Sequence, residues 1–524
     1  MALLGAISTI GGYTMGSRVL GFIRDILVAA ILGAGPVADA FFVAFKLPNL
    51  FRRLFAEGAF SAAFVPLFAR KLEGGDKGLE SGEGRAEAEA FAASAFAVLF
   101  WTLGAVVIAA EIAMPWIMCV LAPGFTDTPE KFQLAVIFTR ITFPYLMCIS
   151  LVSLYAGVLN SLEKFWQAAA TPILLNLCLI GAVLLLTPLM PSPGHALSWG
   201  VFGAGLAQLV WMWVHARRTG IKLPIRLPRL TEDIRLLLLR MAPVAIGAGV
   251  YQVNLVIDMI IASLLPSGSI SYLFFADRVN QLPLGVFGVA VGTALLPLLS
   301  RQLRAHDKAA VENSQNRALE ISLFLSLPAA VALAIIAQPV ILVFFGRGAF
   351  DGVAVDATAR ALTAYAFGIP AFVVIKSFAT FYFAREDTKT PIYIGLVAMA
   401  VNIILNVILM GPFLHVGLAM ASAITAWLNV ALLALFLIRR GNFSMDRRLA
   451  CALPRMAVAV TIMGLGLWLA LPMMEPWFAA DTELRIVALA LLVTGGLAVY
   501  GLVALLTGAA SRDDLTRILC RRAT

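Results

Sequence analysis

Apolar runs of about 20 residues recur along the whole chain, each long enough to cross the hydrocarbon core of a bilayer as a helix. Fourteen such runs are centred near residues 20, 54, 101, 146, 179, 207, 250, 285, 329, 370, 401, 427, 462 and 496. The pattern predicts an all-α polytopic membrane protein with fourteen transmembrane helices. The first two runs are the least regular, because charged residues interrupt them. Composition agrees with the pattern: 61% of residues are hydrophobic, 13% are charged and the mean hydropathy is +0.92. A soluble globular chain has a very different balance.

The polar gaps between runs set the orientation. With a cytoplasmic amino terminus and alternating spans, 27 of the 39 Lys and Arg fall on inward segments. Only Lys131, Arg347, Arg360 and Arg485 fall on outward ones. This is the positive-inside asymmetry, and it predicts that both termini are cytoplasmic. The net charge of +9 is therefore a topology signal, and no nucleic-acid partner is expected. No basic residue precedes Arg18, so no cleavable signal peptide is expected. The five cysteines are scattered without a CxxC pair, and the four histidines are far apart. Neither a disulfide frame, a metal site nor a cofactor is predicted.

Eight basic residues remain, and these lie inside the runs: Arg18, Arg24, Lys46, Arg52, Arg53, Arg140, Arg278 and Lys376. Each ionisable group near the bilayer centre costs at least about 2.5–3.5 kcal/mol, so such groups face a hydrated cavity or a partner. Arg18, Arg24, Arg52 and Arg278 are the candidate substrate-binding cations. Guanidinium stays protonated and grips phosphate oxygens in pairs, which suits an anionic pyrophosphate. Asp25, Asp39, Lys46, Arg53, Glu57 and Asp277 are the candidate charge partners and gating groups. Arg18 and Asp25 are seven residues apart and share a helix face. Asp39, Lys46 and Arg53 repeat that spacing in the second run. Pro48 removes a helical hydrogen bond just before Arg52 and predicts a kink there. Gly11, Gly12, Gly16 and Gly21 make the first run easy to bend.

The chain also repeats itself. FVPLFAR (Phe64 to Arg70) matches LLPLLSR (Leu295 to Arg301), and Tyr155 to Ile173 parallels Phe381 to Ile392. Both members of the second pair restart at Thr-Pro-Ile after a short polar loop. An even number of spans separates the matched segments, so the halves share orientation about an axis along the membrane normal. The expected organisation is two pseudo-symmetric six-helix lobes, residues 1–220 and 221–440. Residues 441–524 add two C-terminal helices and a cytoplasmic tail. The connector from Arg217 to Arg240 reads as an interfacial amphipathic helix on the anionic inner leaflet.

Three segments carry a resemblance: Gly16 to Asp25, Lys46 to Pro66 (KLPNLFRRLFAEGAFSAAFVP) and Ala276 to Pro297. Through them the chain resembles the bacterial lipid II flippases, the MurJ/MviN family of the multidrug/oligosaccharidyl-lipid/polysaccharide exporter superfamily. The resemblance implies that Arg18, Arg24, Asp39, Arg52 and Arg278 match charged cavity positions which that family requires. It also implies a groove beside the last two helices for an undecaprenyl tail. One departure is visible: Gln281 stands where some members place a carboxylate, one turn after Arg278.

The expected function is thus a transporter, not an enzyme. It would flip lipid-linked peptidoglycan precursor from the inner to the outer leaflet of the bacterial cytoplasmic membrane by alternating access. The expected partners are that lipid-linked glycan and membrane lipids, and a monomer suffices. No G-x-x-x-x-G-K-[ST] motif is present, so an ion gradient or the membrane potential is the expected energy source. Rival readings are a flippase for another polyprenyl-pyrophosphate glycan and a cation-coupled drug exporter, whose site would favour carboxylates. An intramembrane enzyme on lipid phosphates would need a nucleophile and base, or an acidic metal cluster.

Overall fold

The computed structural model describes residues 2–52, 60–74 and 81–509, with side chains described outside 2–10, 51, 81–82, 244–251 and 286–294. Among the described residues there is helix and no strand. Long apolar runs fold this way because lipid offers backbone groups no partners, and a helix satisfies them internally. The chain forms two compact units. The first runs to Ser271 and takes in Gly348–Phe350; the second comprises Tyr272–Arg347 and the described chain from Asp351. This division by packing falls later than the lobe boundary read from the repeat, because the seventh span packs with the first unit.

The first unit holds α1 (Ala2–Leu32), α2 (Pro36–Phe51), α3 (Phe60–Leu72), α4 (Ser81–Leu121), α5 (Pro129–Thr142), α6 (Tyr145–Ser161), α7 (Phe165–Ala169), α8 (Thr171–Gly181), α9 (Pro193–Arg218) and α10 (Glu232–Ser263). Its interior is built on rings: Phe64 stacks with Phe60, Phe68 and Phe91. α6 packs on α9, where Gly205 lets the backbone lie against the buried Tyr145 ring. α1 ends at Gly33, in the left-handed region at φ 69°, against the carbonyl of Ala349. Ala349 in turn donates its N–H to Ala30 O at 2.8 Å, which is how Gly348–Phe350 comes to belong here.

The second unit holds α11 (Ser269–Arg304, from Tyr272 onward), α12 (Lys308–Ile335), α13 (Ala337–Phe345), α14 (Gly352–Ala366), α15 (Ile369–Phe383), α16 (Lys389–Arg439), α17 (Arg447–Ala479) and α18 (Thr482–Leu506). Phe378, Phe381, Tyr382, Leu433 and Leu437 centre its core. α16 is two spans joined at Leu414, whose backbone is left-handed and follows Pro412.

Nine helical segments among the described residues are long and apolar enough to cross a membrane, with Gln252–Ser263 a shorter apolar helix. These nine hold ten of the fourteen expected centres, since Lys389–Arg439 holds two. Centres 20, 250 and 285 lie on α1, α10 and α11. Centre 54 lies outside the described residues. The chain is a multi-pass membrane protein.

The internal repeat recurs in the helix ends. α6 closes at Glu163 (φ 59°), where Lys164 N–H reaches back to Leu159 O; α15 closes at Glu386 (φ 62°), where Asp387 N–H reaches Tyr382 O. α9 and the second half of α16 close alike at Gly220 and Gly441, with Ile221 N–H on Ala216 O and Asn442 N–H on Leu437 O. Each is a left-handed terminal residue capped by a six-residue return bond, the Schellman motif. The same kind of cap thus recurs in the same order at the segments matched between the two halves.

The connector corrects one expectation. Residues 221–230 are not helical, and the helix begins only at Glu232, as the start of α10, with Thr231 Oγ1 accepting from Ile234 N–H. Pro224 and Pro228 explain this, since each disfavours helix at the residue before it and removes a donor. The extended strip is pinned instead by side chains of α4: Trp101 Nε1 donates to Arg226 O at 2.9 Å, and Arg85 to Thr219 O.

Candidate functional site

α1 presents its two arginines differently. Arg18 is exposed, and among the described residues it makes no hydrogen bond or ion pair. Arg24 is 8% exposed and fully engaged. Its Nε and one terminal nitrogen donate to Asp25 Oδ1 at 3.0 and 2.7 Å, and the other donates to Asn176 Oδ1 at 2.8 Å. Asp25 therefore neutralises its neighbour Arg24, and not Arg18, with which it was expected to share a face. Asn176 completes the arrangement from α8, its amide donating to Ser17 O at 2.9 Å. One polar side chain in an apolar helix thus reads both an arginine and the carbonyl about two turns before it.

Asp39 sits in the first turn of α2 and is 1% exposed. Its Oδ2 accepts from Lys131 Nζ at 2.8 Å and Gly268 N–H at 2.7 Å; its Oδ1 accepts from Ser271 N–H at 3.0 Å and Ser271 Oγ at 2.7 Å. These partners all belong to the first unit. Four donors satisfy both oxygens of this one carboxylate. The two backbone donors lie at the start of a helix, where an anion is favoured. Lys131 is further held by the Phe125 ring, 4.1 Å from its centroid. Asp39 is consequently a fixed fastening of this unit and holds a lysine, not one of the candidate arginines.

Lys46 is half-buried on α2. Arg52 follows the last residue of that helix, half-buried, with Nε donating to Asn49 Oδ1 at 3.2 Å. Its backbone N–H reaches both Pro48 O and Asn49 O. Arg53 and Glu57 lie outside the described residues.

In the second unit, Asp277 and Arg278 are half-buried on α11. The Arg278 guanidinium lies over the Phe274 ring, 4.9 Å from its centroid, a cation–π contact. Gln281 Nε2 donates to Asp277 Oδ2 one turn back. The amide that stands in for a carboxylate thus binds the nearby acid, where a second carboxylate would repel it.

Chemically, the charges fall into two kinds. Arg24–Asp25 and Asp39–Lys131 are buried pairs held by further protein groups. Arg18 is open to whatever solution or ligand it meets. Sequence reasoning missed Asn176 and Lys131 as partners. The signal for Asn176 was present, since an amide inside TPILLNLCLIG is costly unless bonded.

A family model described as lipid II flippase MurJ matches residues 28–488. The probable lipid II flippase MurJ of Rhizobium meliloti (strain 1021) is 43% identical over 100% of this chain and 97% of its own. That of Haemophilus influenzae is 36% identical over 96% of this chain and 100% of its own. A solved structure of lipid II flippase MurJ in an inward closed conformation matches with a TM-score of 0.77 at 26% identity, covering 98% of this chain and 99% of that one. With the matched residues running from the end of α1 into α18, the chain belongs to the lipid II flippase MurJ family.

Proposed function

We infer that this chain carries an undecaprenyl-pyrophosphate-linked peptidoglycan precursor, lipid II, from the inner to the outer leaflet of the bacterial cytoplasmic membrane. The family match over residues 28–488 carries the reading. Transport proceeds by alternating access of two six-helix lobes, 1–220 and 221–440, within a fourteen-span topology whose termini are both cytoplasmic. Arg18, Arg24, Arg52 and Arg278 are the cations that meet the pyrophosphate. Arg18 makes first contact, because no protein group must be displaced from it. Arg24 contributes once the substrate competes with Asp25 for its donors. Lys46, Arg53, Glu57 and Asp277 balance the cavity charge, and Asp39 fastens the extracytoplasmic side. The polyprenyl tail stays in lipid beside the last two helices, 441–524.

An inside-negative potential favours outward movement of an anion by about 2.3 kcal/mol per charge per 100 mV. Gln281, bonded to Asp277, leaves no carboxylate at that position to carry a coupling ion, so the potential is the favoured driving force. The test is depletion of the chain from its cell, followed by measurement of which lipid-linked precursor accumulates on the cytoplasmic face. Accumulation of the undecaprenyl-pyrophosphate-linked peptidoglycan precursor is expected. Its unimpaired appearance on the outer face, or accumulation of a different glycan lipid, overturns the reading.

A further inference from the structure

A groove of about 640 Å³ opens between α7, α8 and α9. One wall is a single face of α9, where Leu206, Val210, Val214 and Arg218 follow at four-residue intervals. Trp166 and Leu174 form the other wall. At 1.5 Å per residue, the α9 wall runs for about 18 Å along the helix axis. Leu206, Val210 and Trp166 are exposed, so the slot is open along its side.

The chemistry is graded along that length. It is aliphatic from Leu206 to Val214, aromatic at Trp166 and Trp211, and cationic at Arg218 in the last turn of α9. His215 lies under the cationic end, its Nδ1 donating to Trp211 O at 2.8 Å and its ring edge-on to Trp166. Arg217 is occupied over the Trp213 ring, 4.3 Å from its centroid. Arg218 makes no hydrogen bond or ion pair with any described residue. A basic residue at a helix C-terminus is favourable in itself. That accounts for Arg218 being basic, but not for an apolar slot of ligand size leading up to it. Positive-inside charge places this end of α9 at the inner leaflet.

We propose that the groove binds one inner-leaflet glycerophospholipid with an anionic headgroup. An acyl chain lies along α9 from Val214 to Leu206, and Arg218 takes the phosphate oxygens in its paired-donor geometry. Trp166 sits at the interface between the two, where an indole is favoured. The occupant also touches α1 indirectly, because Trp166 stacks on Tyr13 with ring centroids 6.5 Å apart. Lipid bound here braces the helix that carries Arg18. The site stands independently of what the protein transports.

The test uses the full-length protein in phosphatidylcholine vesicles, with intrinsic fluorescence quenched by dibrominated lipid. Subtracting the Trp166→Phe variant isolates the Trp166 signal. Half-quenching by brominated phosphatidylglycerol is expected at a mole fraction about fivefold lower than by brominated phosphatidylcholine, the ~1 kcal/mol that one basic side chain contributes near anionic lipid. Arg218→Gln should abolish that preference, and Arg218→Lys should keep part of it. Val210→Phe, at an exposed position, should fill the slot and weaken quenching by both lipids. Equal quenching by the two lipids, or a preference that survives Arg218→Gln, overturns the proposal in favour of ordinary surrounding lipid. Relief of quenching by undecaprenyl pyrophosphate, without relief by unbrominated phosphatidylglycerol, overturns it by giving the groove to the transported lipid.

Discussion

The helices at the start of the chain and the last two described helices are packed on different terms. α1 and α2 carry Arg18, Arg24, Asp25, Asp39 and Lys46 along apolar sequence, and most of that charge is buried. α17 and α18 keep ionisable groups toward their ends and pack along most of their length through shape. There Gly496 faces Leu467, and the buried Ala488, Leu489 and Leu492 fill the seam. Polar ties lie toward the margins: Arg455 of α17 donates to Gly508 O just past α18 at 3.1 Å, and the Tyr500 hydroxyl donates to Phe324 O of α12 at 2.8 Å. Lipid supplies little hydrophobic drive for helices to associate, so small residues and close contact hold the second pair. In α1 and α2 buried charge clusters do that work toward other helices, Arg24 reaching Asn176 of α8 and Asp39 holding Lys131 of α5, and the exposed Arg18 is a feature that packing does not explain.

That contrast breaks most severely at Asp39. Asp39→Ala leaves Lys131, 5% exposed, as an uncompensated buried cation. It also strands Gly268 N–H and Ser271. Losing one partner of a buried pair costs about 3–5 kcal/mol, so the folded protein should largely disappear from detergent-solubilised membranes. Lys131→Met should be comparably damaging, while Asp39→Asn with Lys131→Met should recover much of the thermal stability. If Asp39→Ala melts like the wild type, the cluster is not a fastening.

Arg24 and Arg18 sharpen the same comparison, six residues apart on one helix. Arg24→Ala leaves the Asp25 carboxylate buried and should cost about 3 kcal/mol, read as a lowered melting temperature. Arg18→Ala should change stability by less than about 0.5 kcal/mol, as exposed substitutions do, yet should abolish lipid export. Arg18→Ala with normal leaflet transfer would sink its assignment as first contact.

The sequence makes some of this legible and hides the rest for a definite reason. Helices follow from apolar length, the repeat from Thr-Pro-Ile after polar loops, and the choice of arginines from their cost in lipid. Partners do not follow, because they are set by the tertiary fold. Arg24 and Asn176 are 152 positions apart, Asp39 and Lys131 are 92, and Asp39 and Ser271 are 232. A seven-residue spacing places Arg18 and Asp25 on one face, but the adjacent Arg24 side chain curls back to Asp25 and takes it first. Lys131, counted from its position as an outward topological charge, is instead drawn inside by Asp39. The connector misled through composition only in its first part: its basic and apolar residues suit an amphipathic helix throughout, but two prolines keep residues 221–230 out of it and leave helix from Glu232 onward.

Gly496→Val tests the apolar side of the comparison. A Cβ at this position already stands 3.2 Å from Leu467 Cδ2, so two further methyl groups force α17 and α18 apart. Overpacking of this kind costs about 1–3 kcal/mol. The melting temperature should fall, with export retained below it. No change would mean that the seam yields freely.

Asp446 offers the smallest effect and the one with a pH signature. It caps the start of α17, its Oδ1 accepting Leu449 N–H at 2.7 Å and its Oδ2 bonded to Arg317. Burial pushes its carboxyl up, but the Leu449 hydrogen bond and the Arg317 and Arg448 charges outweigh this and hold it below the ordinary carboxylate range. A depressed folded value stabilises above the unfolded one, about 3.9, and that stability is lost as pH falls through the folded value. The carboxylate is 36% exposed, so solvent screens the ion pairs and the cap supplies most of the effect. Asp446→Ala should therefore cost about 1 kcal/mol at neutral pH, seen as faster amide exchange in the first turn of α17. Asp446→Asn caps nearly as well as aspartate but does not titrate. It should protect that turn equally at pH 7 and pH 3, whereas the wild type loses protection at pH 3. Equal acid sensitivity in both proteins would assign the loss to some other carboxylate.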